Sequence, residues 1–439
     1  MAAKTYRLKL ADGVVYAERG GKHLFLQPAA PDWMVVNLNG AILLSRCDGA
    51  PMEEVLGERE EAMWEQSTML FAEALGRAIL VDAAAGQVTT GRERQGSAPQ
   101  PLRVVHLKLT NRCNLRCTYC YAESGGNQGT RGELMREDLS SIAESVRGMG
   151  AAVEYVVSGG EPLLHPDALW FMERVKAEGN AVHLLTNGTL IDESNAERIA
   201  RATDLVKISM DGSSEAAHAV TRGAGNFARV EKAIALLEQH GARVVVAMTV
   251  TRENRGEIGA MVAKYGTKLS LQPLFQAGRA AGGGSSMENT PLSGEEYYRA
   301  LTAVKGVAPM GAMARRLKML RGRGVRRCAM AEREISIAET GDVYPCQLLH
   351  GDEFRAGNVR EQTVAEIYAM SPVMERLREV SVETLAKCSE CAVRLLCGGA
   401  CRARDLAETG SIEEVGEFCA YEREALLQGL FDSVELELA

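Results

Sequence analysis

Eleven cysteines mark where this 439-residue chain can do chemistry, and ten of them fall after residue 112, in two groups. The first group is compressed into "TNRCNLRCTYC" (110–120): Cys113, Cys117 and Cys120, spaced Cys-x3-Cys-x2-Cys. The second runs Cys328-x12-Gly341-x4-Cys346, then Cys388-x2-Cys391-x5-Cys397-x3-Cys401, then x17-Cys419. The N-terminus, "MAAKTYRLKLADG", lacks an apolar signal core, which predicts a cytoplasmic protein with reduced thiols. Such thiols point to metal rather than to disulfides. Only seven His residues are present and none falls in a Cys/His zinc spacing, so all-thiolate sites are expected. Three thiolates from one short loop can hold one face of an iron–sulfur cube, which normally takes four. One iron then lacks a protein ligand, and a small molecule can dock there; a zinc knuckle is the bland alternative. Cys47, in "AILLSRCDG", reads as a buried free thiol.

The elements that deliver these side chains separate into regions. Residues 1–88 read as a small α+β module. "TYRLKL" and "VVYAERGGKHLFLQ" around "ADG" give a hairpin signal, and helix-like stretches follow around "PDWMVVNLNGAILLSRCDG" and "MEEVLGEREEAMWEQSTMLFAEALGRA". "TTGRERQGSAPQP" (89–101) reads as a linker. From 102 to 310 strands and helices alternate. The strand-like runs are "VVHLKLT", "VEYVVSG", "AVHLLTNG", "LVKISMDG", "RVVVAMTV" and "KLSLQPLF". Six such units predict a parallel barrel or an open doubly wound sheet, with the chemistry in loops at the strands' C-terminal ends. "QAGRAAGGGSSMENTP" (276–291) reads as a flexible loop. From 311 to 439 alternation fades, and seven cysteines suggest a region organised by metal. The net charge of −8, without like-charge blocks, argues against nucleic acid. No window approaches ~20 apolar residues, so no membrane span is expected.

"CNLRCTYC" resembles the signature of radical S-adenosylmethionine (SAM) enzymes. The resemblance implies that SAM chelates the open iron, and that cluster reduction splits it into methionine and a 5′-deoxyadenosyl radical. Tyr119 matches the family's aromatic position near the adenine. "SGGEP" (158–162) resembles the GGE motif: Gly159 and Gly160 allow close backbone approach, and Glu161 accepts from the methionine amino group. Asn187 in "TNG", Ser209 and Asp211 in "SMDG", and Arg222 in "TRGAGNF" match further positions. Ser209 and Asp211 face the ribose in this reading and Arg222 the carboxylate, with cap and turn roles as the competing one. "LQPLF" (271–275) is placed at the adenine pocket.

The seven-cysteine order is similar to a SPASM domain, which houses two auxiliary 4Fe–4S clusters. The resemblance gives Cys388, Cys391, Cys397 and Cys419 to the outer cluster, and Cys328, Cys346 and Cys401 to the inner one. With the SAM cluster that makes three. Seven thiolates fall one short of eight, so a non-cysteine ligand or a substrate thiolate is expected on one inner iron. The N-terminal order, with "NLNGAILLSRCDG" near its middle, resembles the recognition element of ribosomally made, post-translationally modified peptides (RiPPs). Such a module holds a leader peptide as an added strand and raises the effective concentration of the core peptide.

Together these features imply an α/β fold: a partial (βα)6 TIM-like barrel between a winged-helix-like N-terminal module and a SPASM domain. The implied function is a radical SAM maturase that cross-links a precursor peptide, by a thioether bond in preference to C–C. A flavodoxin or ferredoxin would supply the electron. The alternatives are a SPASM enzyme that oxidises a residue of a protein substrate, as sulfatase maturases do, and a non-catalytic iron–sulfur electron carrier.

Overall fold

The computed structural model describes residues 7–57, 61–83, 99–125, 132–281, 291–304, 317–433 and 435–436. The expected linker, apart from residues 99–101, lies outside them, as do residues 282–290 of the glycine-rich loop and the 310/311 boundary.

The first strands are β1 (Arg7–Leu10), β2 (Val15–Arg19), β3 (Lys22–Gln27), β4 (Asp32–Val36), β5 (Asp48–Pro51) and β6 (Leu80–Asp82). The hairpin forms at Gly20–Gly21 and not around "ADG". There β2 pairs with β3, while β1 joins β5 and β6 in a separate three-stranded sheet. Both turn glycines hold positive φ, 58° and 77°, as a tight hairpin requires. Asp32–Val36, expected within a helical stretch, is strand β4, with Trp33, Met34, Val35 and Val36 buried along the β3 ladder. Asn37 then caps the helix Leu38–Ser45 by accepting from the Gly40 N–H at 3.0 Å.

Six further strands pair in parallel and in chain order: β7 (Val104–Lys108), β8 (Glu154–Ser158), β9 (Ala181–Thr186), β10 (Leu205–Ser209), β11 (Val244–Val250) and β12 (Leu269–Pro273). Helices such as Arg136–Gly148 and Phe227–Gln239 return the chain. The first buries Leu139, Ile142, Ala143 and Val146, the i, i+3, i+4, i+7 stripe that a helix lays on a sheet. This is the partial (βα)6 barrel. Its strands alternate: Val206 and Ile208 point to the helices, whereas Lys207 and Ser209 line the interior. The sheet does not end at β7. It continues through β13 (Glu334–Ile337), parallel to β7, into β14 (Asp342–Tyr344) and β15 (Gly357–Asn358), both antiparallel. The cysteine-rich region is therefore grafted onto the barrel's first strand. The last pair, β16 (Glu435–Leu436), lies parallel to β4, so the N-terminal sheet runs β16-β4-β3-β2. Among the described residues, no helix is long and apolar enough to cross a membrane.

Candidate active site

Residues 110–125 leave β7 without helix or strand, and neighbouring loops hold them in shape. The Gly160 N–H donates to the Thr110 carbonyl at 2.7 Å, and the Glu161 N–H to the Arg112 carbonyl at 2.8 Å. A Cβ on Gly159, at φ 144°, would lie 2.4 Å from the Thr110 oxygen; one on Gly160 would lie 2.2 Å from that of Arg112. The close approach these glycines permit is thus to the cysteine loop's own backbone. Arg112 reaches across the loop base to Glu133, at 3.1 and 3.2 Å.

Glu161 is fully buried. Its carboxylate accepts from the Thr186 hydroxyl and the Asn187 N–H, both at 2.8 Å, and from the Leu163 N–H at 3.2 Å. Burial pushes its carboxyl up to about 7, against the pull of these donors. Asn187 donates to the Asn114 side chain at 2.8 Å and faces Cys113 Sγ at 3.8 Å. Asp211 is also fully buried. It accepts from the Tyr119 hydroxyl at 2.5 Å, Arg222 Nε at 2.7 Å, the Thr221 hydroxyl at 2.9 Å and the Thr249 N–H at 2.9 Å. Arg222 turns its other nitrogens to the Tyr119 hydroxyl and to Cys117 Sγ, the latter at 3.8 Å.

A cavity of about 470 Å³ opens at the strands' C-terminal ends. Cys113, Cys117 and Cys120 line it together with Tyr119, Gly159, Gly160, Asn187, Ser209 and Arg222. Gln272, Pro273, Leu274 and Phe275 of "LQPLF" are also on its wall. Glu161 and Asp211 stand behind it, wholly engaged with protein groups. Among the lining residues not singled out in the sequence, four carry a charge or an amide. Lys207 sits mid-strand, and burial holds its ammonium below the usual range. Gln347 follows Cys346 directly, and Arg404 comes from the cysteine-rich region. Arg279 lies in the stretch read as a flexible loop. It donates to the Cys117 and Ser124 carbonyls, both at 2.8 Å, and so clamps the cysteine loop. The signal for Lys207 was a lone cation at an inward position of an alternating strand; for Arg279 there was none.

The ten downstream thiols fall into three neighbourhoods. Burial, then Glu161, Cys117 and Cys120, raises the Cys113 thiol to about 11. Cys388, Cys391 and Cys419 act on one another, while Cys397 packs with Cys391 on one apolar cluster. Cys346, Cys328 and Cys401 form the third set. Among the described residues, no three His, Cys, Asp or Glu groups converge tightly enough for a single metal ion. Thiols this buried are stable as thiolates only when bound to something cationic.

Sequence comparison matches residues 107–264 to the radical SAM superfamily and residues 328–392 to the SPASM iron–sulfur cluster-binding domain. The mycofactocin maturase MftC of Mycobacterium ulcerans is 30% identical over 315 residues, covering 67% of this chain and 82% of that protein. The AdoMet-dependent heme synthase of Methanosarcina barkeri is 27% identical over 346 residues, covering 73% and 96%. The structure of Streptococcus suis SuiB bound to its precursor peptide SuiA superposes with a TM-score of 0.54 at 14% identity, covering 94% of this chain and 99% of that one.

Proposed function

The chain belongs to the radical SAM superfamily with a SPASM domain, and on that premise we propose that it cross-links a ribosomally made precursor peptide. The observation that carries the reading is the shared cavity. Three thiols of one loop, Tyr119, Gly159, Gly160, Asn187, Ser209 and Arg222 of the SAM motifs, and Arg404 of the cysteine-rich region face one cavity. That similar proteins include peptide maturases supports a peptide in that space.

In this reading Cys113, Cys117 and Cys120 hold the SAM cluster. Tyr119, Asn187, Ser209 and Arg222 contact SAM directly. Gly159 and Gly160 hold the cysteine loop in place, and Glu161 and Asp211 fix the groups that touch the cofactor. When bound, SAM and its cluster supply a 5′-deoxyadenosyl radical that takes a hydrogen atom from the peptide. Lys207, on the wall of the same cavity, faces the space the peptide would enter. Cys388, Cys391, Cys397 and Cys419 hold an outer auxiliary cluster, and Cys328, Cys346 and Cys401 an inner one. A flavodoxin or ferredoxin supplies the starting electron.

The N-terminal module would hold the leader at a sheet edge. Among the described residues, the outer edge of β4 carries the two-residue strand β16, which an incoming strand could replace. The cross-link is a thioether in preference to C–C. Co-expression with a short candidate precursor peptide, sought among the open reading frames adjoining the gene, followed by mass spectrometry, tests the reading. A loss of two hydrogens is expected, and an unchanged peptide mass would overturn it. The heme synthase relative sets the competing substrate class; conversion of a porphyrin precursor with the peptide untouched would favour that class.

A further inference from the structure

Among the described residues, four cations line the cavity at the strands' C-terminal ends, and no carboxylate does. Three of the four are engaged. Arg222 pairs with Asp211, and Arg279 holds two carbonyls of the cysteine loop. Arg404 donates to the Leu274 carbonyl at 3.1 Å, with its guanidinium over the Phe418 ring at 4.2 Å. The fourth, Lys207, has no hydrogen bond or ion pair among the described residues. The parallel ladders show why. Lys207 is in register with Leu185 of β9 and with Val245 of β11, both apolar, so neither flanking strand offers an acceptor at its level.

A half-buried ammonium without an anion is unfavourable, and burial, with no charged neighbour to oppose it, holds this one below its usual range. A carboxylate brought into the cavity would remove that cost through a charge-assisted hydrogen bond. The position favours the substrate over SAM as its source. Ser209, a proposed SAM contact, ends β10. Lys207 starts one inward step before it, about 7 Å deeper at the rise of a strand. The cation on the SAM side is Arg222, which stands beside Cys117 Sγ at 3.8 Å.

We propose that Lys207 is a carboxylate subsite that binds an acidic side chain, Asp or Glu, of the core peptide. This rests on the peptide reading above and adds to it the residue class that the cavity selects. The ion pair would fix one core residue against β10 and so set which neighbouring residue meets the radical.

Saturation-transfer NMR on anaerobically reconstituted, SAM-loaded full-length protein reads the subsite without the natural substrate. The probes are N-acetylglutamate N-methylamide and its glutamine isostere, with the corresponding aspartate and asparagine pair. The wild type should bind an acidic probe at least fivefold more tightly than its amide. Lys207→Met keeps most of the stem without the charge and should abolish that preference; Lys207→Gln carries the comparison if Lys207→Met loads no SAM cluster. Equal binding of acid and amide by the wild type, or an undiminished preference in the variant, would overturn the subsite. SAM affinity should be the same in both proteins. A tenfold loss in the variant would assign the ammonium to the SAM carboxylate and overturn the proposal. The peptide is tested separately, with a precursor that the wild type modifies. Changing its acidic residues to amides one at a time should raise KM at least tenfold at one position in the wild type, and little in Lys207→Met. If no position shows this coupling, the peptide side chain is not the ligand. If no precursor is modified while the probe preference still depends on Lys207, the peptide reading falls and the carboxylate subsite stands.

Discussion

Asp211 has no solvent contact, and four donors converge on its carboxylate. One belongs to Arg222, which is itself nearly buried, so neutralising Asp211 strands a cation. Asp211→Asn should lower stability by about 3–5 kcal/mol, the usual result of breaking a buried pair from one side. An unchanged denaturation midpoint would show that the pair does not hold this loop. Glu161 gives a pH signature. Its carboxyl is raised from 4.5 to about 7, so the folded chain binds that proton more tightly than the unfolded chain. The contribution is whole below pH 4.5 and is lost as pH rises through about 7. For a group this buried it amounts to about 3 kcal/mol. Glu161→Gln should flatten the fall in stability between pH 5 and 7.5 measured by anaerobic denaturation; an identical slope would contradict the assignment. Both residues were legible from their motifs. Their orientation was not, because it depends on donors from Thr186, Thr221 and Thr249; the first two stand in the "TNG" and "TRGAGNF" stretches, but nothing in those stretches showed which carboxylate they would meet.

Two loops with no regular structure are held apart by less than one methyl group. A Cβ at Gly160 would sit 2.2 Å from the backbone oxygen of Arg112, and backbone yields less readily than a flexible side chain. Gly160→Ala should therefore push the cysteine loop off its seat. Iron at the SAM cluster and SAM cleavage should fall at least tenfold, with the auxiliary signals retained; wild-type cleavage would show that the loop shifts without consequence. The second element-scale prediction concerns the edge of β4. If the leader adds there, it competes with Glu435–Leu436. Deleting residues 434–439 should tighten peptide binding severalfold in a fluorescence titration, and unchanged affinity would move the site to the outer edge of β2. The six barrel strands were legible because each is a short apolar or alternating run followed by a helix-length stretch, the texture of repeated strand–helix units. The β1–β2 separation was not, since pairing is decided by partners such as β5 and β6 that arrive 39 or more residues later. The β7–β13 junction was hidden for the same reason.

At the scale of the whole molecule, the N-terminal module is not a tethered accessory. Leu24, Leu26, Trp33 and Val35 share one apolar cluster with Leu317, Val393, Leu396, Leu426, Leu430 and Phe431, and Cys391 and Cys397 pack against it. Polar contacts seal the seam. Trp33 Nε1 donates to the Ser433 hydroxyl at 3.0 Å, Arg321 pairs with Asp32 at 2.7 Å, and Arg19 pairs with Glu424 at 2.8 Å. The guanidinium of Arg321 also covers the Trp33 ring at 4.6 Å. Removing the module would therefore strip the apolar wall behind two of the proposed outer-cluster thiols. Loss of peptide modification in such a truncation would not by itself show that the leader binds there. Trp33→Ala isolates the structural part of this effect. Truncating a buried aromatic costs about 3–5 kcal/mol, and the cavity it leaves lies in the apolar cluster against which Cys391 and Cys397 pack. The expected outcome is early loss of the outer-cluster EPR signal on warming, with the SAM-cluster signal and SAM cleavage unaffected at low temperature. If Trp33→Ala leaves the outer cluster as stable as in the wild type, the seam is only a docking surface, and deleting the module becomes a clean test of leader binding.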